Sequence, residues 1–276
     1  MAYEDITYEV DGPIATIRLN RPQYRNAQSY RLLDEVGLAF DQAELDKEVR
    51  VLVVRGSGGN FSSGHDLGTP EGAAYRESLG AVDGLDRYDQ FKRYNLDLLL
   101  RWRNFPKPTI AMVEGYCIYA GWMLAGCLDL VFAAKDARFL PGFIEYMSVP
   151  WDLGVKRAKE IVFESRFLTA QEAHDYGFVN RVLPLEDLER ETYAYARRVA
   201  ENHPMTVRIS KVAMNKAQDI QGYSNHLEDV LGDYVAWGSY MQGESRMQGQ
   251  RRLAAVDLAV RGLKGDRFGL TGTSGV

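Results

Sequence analysis

Apolar and polar residues alternate along residues 6–19, ITYEVDGPIATIRL, on either side of an Asp-Gly-Pro step. Alternation with a period of two residues is typical of strands, and glycine and proline between two such runs favour a turn. The segment therefore predicts a β-hairpin near the start of the chain.

The pattern changes to helical spacing over residues 29–46, SYRLLDEVGLAFDQAELD, and a continuous apolar run, VRVLVVRGSG, follows. A helix followed by a short apolar strand that ends in glycine is typical of α/β proteins, whose parallel strands are buried on both faces. The same order returns twice, since a charged helix at about 85–103 precedes PTIAMVEG and a helix opening at Gly121 precedes DLVFAA. We therefore predict parallel strands joined by helices.

Beyond residue 155 the pattern becomes mainly helical. GVKRAKEIVFES predicts one helix, TAQEAHDYG a second with Thr and Glu at capping-box spacing, and FVNRVLP a short extended piece. Three more helices are predicted over 185–202, 205–222 and about 223–241, and GLTGTSGV is interpreted as a flexible tail. The chain thus divides into an α/β core over 1–190 and a helical C-terminal region with that tail over 191–276.

Charge and composition exclude several classes of protein. The 276 residues have a net charge of −5, so no basic surplus suggests a nucleic-acid partner. No run approaches the roughly 18–20 apolar residues that a membrane helix needs, and MAYEDITYEV does not resemble a signal peptide. Cys117 and Cys127 match neither a disulfide framework nor a metal site, and no histidine has a partner at metal-ligand spacing. A cytoplasmic protein with no metal and no membrane partner is expected.

Two glycine-containing turns follow predicted strands. The first is NFSSGHDLGTP at 60–70, and the second is GYCIYAG at 115–121. Either turn can present backbone N–H groups at the beginning of a helix, where they favour an anion or a developing oxyanion. Each is also explained as an ordinary turn in which glycine supplies a positive φ, and neither matches a Walker loop or GxGxxG.

Five segments in sequence order resemble the signature segments of the crotonase superfamily, also called the enoyl-CoA hydratase/isomerase superfamily. They are LNRPQYRNAQS (19–29), FSSGHDL (61–67), KPTIAMVEGYC (107–117), LAGCLDLVFAAKDARF (124–139) and LTAQEAHDYGFVNRVLP (168–184). The resemblance covers roughly residues 5–215 and implies the α/β crotonase (ClpP-like) fold, with repeated ββα units and a helical C-terminal region. It also implies a homotrimer or a dimer of trimers.

The resemblance further implies an acyl-CoA site, with coenzyme A as part of the substrate and no separate cofactor. In this family two backbone N–H groups bind the thioester carbonyl oxygen, and the matching positions here are His65 and Ala120. Only the N–H is used, so we expect His65 to act through its backbone rather than as a side-chain base. The SSGHDL loop would wrap the adenine and phosphate end of coenzyme A. The implied substrate-binding positions are Ser63, Gly64, Asp66, Leu67, Tyr119, Gly121, Met123 and Phe143.

The two catalytic glutamates of the family's hydratases have no counterpart here, because the matching positions hold Met123 and, at about the second, Phe143. Neither side chain can hold a water molecule or transfer a proton. Glu145 is the expected replacement, since its apolar surroundings in LPGFIEYMSVPW would raise its pKa, although a surface glutamate explains it equally well. Tyr146 is a further candidate for orienting water or an enolate, with core packing as the alternative.

Several other residues have more than one interpretation. Asp152 is expected to cap a helix, and Asp129 is expected to be structural. Tyr119 replaces a family glycine, and its ring either lines the cavity or packs. The aromatic residues that either line an acyl pocket or pack between helices are Tyr75, Tyr88, Tyr94 and Trp102.

The prediction is therefore an acyl-CoA enzyme that stabilises a thioester enolate, of the enoyl-CoA hydratase or isomerase type. Isomerisation needs one proton shuttle and so survives the loss of both glutamates better than hydration does. Within the fold, a hydrolase or C–C lyase of a cyclic β-keto acyl-CoA is the alternative. Outside enzymes, the alternative is a non-catalytic acyl-CoA binding protein.

Overall fold

The computed structural model describes residues 3–80, 84–141, 146–248 and 260, with side chains as far as residue 236 and at 260. Phe143, Glu145 and the predicted C-terminal tail lie outside these residues. The strands are β1 (Ile6–Asp11), β2 (Ile14–Leu19), β3 (Val51–Gly56), β4 (Thr109–Val113), β5 (Tyr116–Ile118), β6 (Leu130–Ala134), β7 (Arg138–Leu140), β8 (Leu168–Thr169) and β9 (Arg181–Leu183).

The helices alternate with these strands as far as β9, and the last three of the described helices then follow one another with no strand between them. They are α1 (Tyr30–Leu45), α2 (Pro70–Ser78), α3 (Gly84–Lys92), α4 (Leu98–Arg103), α5 (Ala120–Cys127), α6 (Val149–Leu153), α7 (Val155–Glu164), α8 (Ala170–Asp175), α9 (Leu185–Ala200), α10 (Pro204–Ile220) and α11 (Tyr223–Gln248). A 3-10 turn spans Pro22–Tyr24, and a π-helical turn, Arg93–Asp97, joins α3 to α4.

A six-stranded sheet in the order β1-β2-β3-β4-β6-β9 forms the centre of the protein. The predicted hairpin is confirmed, since β1 and β2 pair antiparallel with Ile6 opposite Leu19. The remaining pairs are parallel, for example Val53 opposite Ile110. Every residue of β3 and β4 is buried, which explains why these strands appear in the sequence as continuous apolar runs.

A second sheet of three strands, β5-β7-β8, stands beside the first. β4-β5-α5 and β6-β7-α6 are successive ββα units, as the resemblance implies. The capping box predicted in TAQEAHDYG is present, because Thr169 and Glu172 each bond the backbone N–H of the other. Within the described residues, no helix is both long and apolar enough to cross a membrane.

Two features of the helices depart from the predicted pattern. The boundary placed at residue 190 falls inside α9, which packs across β2, β3, β4 and β6 and so belongs to the core. α2 was not predicted, because Gly72 is its one buried residue and an apolar periodicity is absent. Local signals define α2 instead, since the Thr69 side chain caps it and Pro70 begins it.

Candidate active site

The two glycine-containing turns lie at the same edge of the six-stranded sheet. One follows β3 and the other follows β4, and the carboxyl ends of parallel strands share an edge. Ser62 donates its N–H to Tyr116 O at 2.9 Å and accepts from Ile118 N–H at 3.0 Å. The first turn is therefore hydrogen-bonded along β5, immediately before the second turn ends and α5 begins.

Glycines allow the two turns to touch. Gly64 has φ +101°, which disfavours a side chain, and a Cβ added there would lie 3.0 Å from Ile118 O and 3.7 Å from Ala120 N. At Gly121 an added Cβ would lie 2.9 Å from Ser62 O, a distance that real Cβ atoms do not tolerate. A side chain at either position would separate the turns, so both glycines are required for the contact. The structure thus brings Gly64, the neighbour of His65, close to the backbone of Ala120.

The backbone at residue 65 has a defined orientation. Gln28 N–H donates to Gly64 O at 2.8 Å, and Asp66 N–H donates to Gln28 O at 3.0 Å, so Gln28 and His65 form a parallel bridge. In this pattern the backbone groups of His65 itself point away from Gln28. The first turn does lead into a helix, but His65 itself is not at the helix terminus, because α2 begins at Pro70.

Ala120, in contrast, is the first residue of α5, with Tyr119 at the N-cap. An N–H in the first turn of a helix has no acceptor within that helix, and the partial positive charge of the helix N-terminus adds to it. Met123 is buried on the same helix, and its N–H donates to Tyr119 O at 2.9 Å. The thioether of Met123 supplies no titratable proton.

Tyr119 adopts a backbone conformation that is uncommon for a residue with a side chain, with φ 47° and ψ −105°. Its N–H donates to Leu140 O at 2.9 Å. Its ring packs against a small cluster of buried residues formed by Ile118, Leu140 and Phe167. The packing interpretation of Tyr119 is therefore supported by these contacts.

A buried ion pair stabilises the loop that follows Gly64. Arg21 Nη1 lies 2.9 Å from Asp66 Oδ2, and both side chains are almost fully buried. Burial alone would raise the pKa of Asp66, but hydrogen bonds from Thr69, Gly68 and Arg21 lower it to about 2. Because these hydrogen bonds already occupy the carboxylate, we interpret the role of Asp66 as stabilising the conformation of the loop. Its neighbour Leu67 is 96% exposed.

Tyr146 lies in the hydrophobic core. Its hydroxyl is 3.1 Å from the hydroxyl of Tyr223, and burial together with Tyr223 raises its pKa well above the usual value. The core interpretation accounts for this residue. Packing also accounts for Tyr94, which stacks on Tyr30 with ring centroids 3.9 Å apart, and for buried Trp102.

The remaining candidates are Tyr75 and Tyr88 for the acyl pocket and Asp129 for a structural role. Tyr75 donates its hydroxyl to Asp34 Oδ2 at 2.9 Å, whereas Tyr88 is 39% exposed. Asp129 Oδ2 accepts from Thr109 N at 2.8 Å and from Lys211 Nζ at 2.8 Å. These contacts fit the structural role expected of Asp129.

Asp152 does not cap a helix, contrary to expectation. It lies within α6, whose N-cap is Ser148, and Gly154 precedes α7. Its Oδ2 accepts from Trp122 Nε1 at 3.0 Å and from Ser148 Oγ at 2.7 Å. Burial raises the pKa of Asp152 to about 7, even though both hydrogen bonds lower it. No pattern in the sequence indicates this raised pKa, because Trp122, one of the two partners of Asp152, lies on another helix.

Asp152 lines a cavity of about 710 Å³. Pro108, Leu130 and Asn180 also line it, and they lie at the beginnings of β4, β6 and β9. The cavity is therefore at the opposite edge of the sheet from the two turns. In the described ranges, no group of three or more His, Cys, Asp or Glu side chains could hold a metal ion.

Comparison with known proteins identifies the family. A model of the enoyl-CoA hydratase/isomerase family matches residues 9–233. The chain belongs to the enoyl-CoA hydratase/isomerase family. EchA13 of Mycobacterium tuberculosis, whose name places it among enoyl-CoA hydratases, is 34% identical over 270 residues, 88% of this chain and 84% of that protein.

Solved structures of the enoyl-CoA hydratase/isomerase family share the fold. A probable enoyl-CoA hydratase from Mycobacterium smegmatis is 40% identical with a TM-score of 0.75, covering 84% of this chain and 93% of that one. An enoyl-CoA hydratase/isomerase from Xanthobacter autotrophicus Py2 is 36% identical with a TM-score of 0.78, covering 85% and 87%. The predicted crotonase fold is confirmed, and the protein is an enzyme of the enoyl-CoA hydratase/isomerase family.

Proposed function

We propose that the two turns bind the thioester carbonyl oxygen of an acyl-CoA between His65 N–H and Ala120 N–H. The contact of the turns supports the proposal most directly, because a Cβ added at Gly64, the neighbour of His65, would touch both Ile118 O and Ala120 N. A pair of fixed backbone donors suits an oxygen on which negative charge develops during the reaction.

The chemistry follows from that charge. Removing a proton from the α-carbon of a 3-enoyl thioester leaves an electron pair that is shared with the carbonyl oxygen and the neighbouring double bond, so a conjugated enolate forms. The two N–H groups and the positive end of α5 stabilise the enolate. Returning the proton to a different carbon moves the double bond and completes an isomerisation. One acid/base group serves both half-reactions.

We assign the proton transfer to Glu145, on the basis of its apolar sequence neighbours. Met123, at the position of a hydratase glutamate, cannot replace it. Asp152 is less suitable, because it lines the cavity at the opposite edge of the sheet from the two turns. A single carboxylate favours isomerisation over hydration, since hydration needs one group for the water and one for the proton.

We assign the adenine and phosphate end of coenzyme A to the loop after β3. Ser63 N–H donates to Arg25 O at 2.9 Å, and Ser63 Oγ donates to Tyr24 O at 3.0 Å, so the loop is held against the chain that precedes α1. The exposed side chain of Leu67 provides an apolar surface that a bound nucleotide would cover. Ser63, Gly64 and Leu67 are the proposed contacts.

A panel of 2-enoyl, 3-enoyl and cyclic β-keto acyl-CoA substrates tests the proposal. Conversion of a 3-enoyl to a 2-enoyl thioester raises absorbance at the conjugated enoyl band, hydration lowers it, and hydrolysis releases a thiol that a colorimetric reagent detects. We expect isomerisation of at least one 3-enoyl thioester. Glu145→Gln should lower kcat by about 100-fold or more, whereas Glu160→Gln on the exposed face of α7 should leave it unchanged.

Other outcomes of the panel would overturn parts of the proposal. Thiol release would favour the hydrolase, and binding of several thioesters without turnover would favour the non-catalytic protein. Turnover that survives Glu145→Gln would remove Glu145 from the assignment but leave the two N–H donors in place.

We also propose that the protein assembles as a homotrimer or a dimer of trimers. On α10 the apolar side chains of Met205, Ile209, Val212 and Ile220 are all more than half exposed. Their spacing puts them along one stripe of the helix. A stripe of this kind is costly to leave in water, so a partner subunit is the proposed cover.

A further inference from the structure

Gln28 contacts both of the turns that hold the proposed donors. It lies between the 3-10 turn and α1 and is only 4% exposed. Its backbone forms the bridge to residues 64 and 66, which sets the direction of the His65 N–H. Its side chain reaches across to α5, where Nε2 donates to Ala120 O at 3.1 Å.

A short network of hydrogen bonds fixes the orientation of that amide. Gln28 Nε2 also donates to Ser62 Oγ at 3.2 Å, and Ser62 Oγ in turn donates to Asn26 O at 2.8 Å. Ser62 Oγ accepts a further bond from Gly64 N–H at 3.2 Å. Because Ala120 O can only accept, the atom of Gln28 that faces it must be the NH₂ group. The network is consistent in one amide orientation alone.

We infer that Gln28 is the positioning residue of the oxyanion site, holding His65 N–H and Ala120 N–H at a fixed separation. The inference rests on the proposed function of these two N–H groups. The bond to Ala120 O fixes the plane of the Ala120–Gly121 peptide. This plane is joined at the Ala120 Cα to the peptide that carries the Ala120 N–H, so the bond and the packing of α5 together restrict how the first turn of α5 can rotate. Gln28 touches no reacting atom and acts through the two backbones.

The side-chain and backbone contacts of Gln28 have separable consequences. Gln28→Leu keeps the backbone bridge to Gly64 and Asp66 but removes the donor to Ala120 O. We expect kcat to fall by about 10- to 100-fold, less than the loss of a whole oxyanion donor, with a much smaller change in the dissociation constant for acyl-CoA. Gln28→Glu puts a carboxylate against Ala120 O, so its loss should be larger at high pH and partly reversed at low pH, where the protonated acid donates again.

The decisive measurement is the absorption spectrum of a bound aryl-acryloyl thioester of coenzyme A. Hydrogen bonds to the carbonyl oxygen polarise the conjugated system and shift its band to longer wavelength. Wild-type protein should produce this red shift, and Gln28→Leu should bind the probe but produce a smaller one. Gln42→Leu, the same change at an exposed position of α1, should match the wild type. A structural role alone would alter affinity and stability without changing the shift at saturation.

The outcomes separate the inference from the function on which it rests. An equal red shift in wild type and Gln28→Leu would overturn the inference and leave the oxyanion site standing. No red shift in the wild type, with the probe bound, would overturn the oxyanion site and Gln28's role with it. If Gln28→Leu does not fold, Gln28→Met has nearly the same shape, and the carbonyl stretch of a ¹³C-labelled bound thioester reports the same polarisation.

Discussion

Replacing Asp152 with asparagine should change how the stability of the protein depends on pH. Burial raises the pKa of Asp152 from 3.8 to about 7 in the folded protein, against the lowering effect of hydrogen bonds from Ser148 and Trp122. Between these two values the folded state binds a proton that the unfolded state has released. The free energy of unfolding therefore falls as pH rises through this window. About three pKa units at roughly 1.4 kcal/mol each amount to about 4 kcal/mol.

The variant removes this dependence while it preserves the geometry. In Asp152→Asn the amide oxygen still accepts from Trp122 Nε1 and Ser148 Oγ, but there is no proton to release. The wild type keeps its full contribution from Asp152 below about pH 4 and loses it as pH rises to about 7. Relative to the wild type, Asp152→Asn should therefore gain about 4 kcal/mol of stability between about pH 4 and about pH 8.

Urea unfolding followed by tryptophan fluorescence across that pH range measures the difference. Asp175→Asn is the control, because hydrogen bonds from Gln171 and His174 lower the pKa of this exposed carboxyl. Its contribution to wild-type stability is lost as pH falls, so the control's difference curve should have the opposite sign and a small size. If the difference in the free energy of unfolding between the wild type and Asp152→Asn stays constant with pH, the reasoning is refuted. Asp152 would then have the same pKa in the folded and the unfolded protein.

Three further predictions concern the backbone, the core and the assembly. Tyr119→Gly should be more stable to thermal unfolding than Tyr119→Ala by about 1 kcal/mol, because both lose the ring but only glycine accepts the positive φ; equal stabilities would contradict this. Lys211→Met should lower the free energy of unfolding in urea by about 2 kcal/mol, because it leaves the Asp129 carboxylate without its cation; an unchanged midpoint would contradict this. The double variant Ile209→Glu and Val212→Glu should shift the mass measured by light scattering from oligomer to monomer, whereas an unchanged mass would exclude α10 from the interface.

Much of the core could be predicted because the apolar positions in the sequence are also the buried positions in the structure. β3 is a run of apolar residues because the sheet is covered on both faces, and the spacing in α1 marks the one face that packs on the sheet. The hydrophobic pattern does not predict a helix that buries few of its residues, such as α2. It also placed a boundary inside α9, because a helix packed on the sheet and a free C-terminal helix have the same periodicity.

The candidate site shows a different limit. Family resemblance selected the positions of His65 and Ala120, but the contact between their two turns, at Gly64 and Gly121, joins segments that are far apart in the chain. Asp152 was assigned to a cap because its neighbours in sequence are typical of a helix start. One of the two groups that bind it, the Trp122 indole, is 30 residues away, and no local pattern contains it.

The turn before α5 holds Tyr119 at a positive φ, a conformation that glycine adopts without strain. A tyrosine at φ 47° costs about 1–3 kcal/mol in backbone strain, so other contacts must hold it there. Its N–H bonds Leu140 O, its carbonyl accepts from Met123 N–H, and its ring packs in the cluster with Phe167. Gln28 adds a bond to the next residue, Ala120, from the other side. The direction of the Ala120 N–H is thus determined by the neighbours of the turn, although residue 119 is not a glycine.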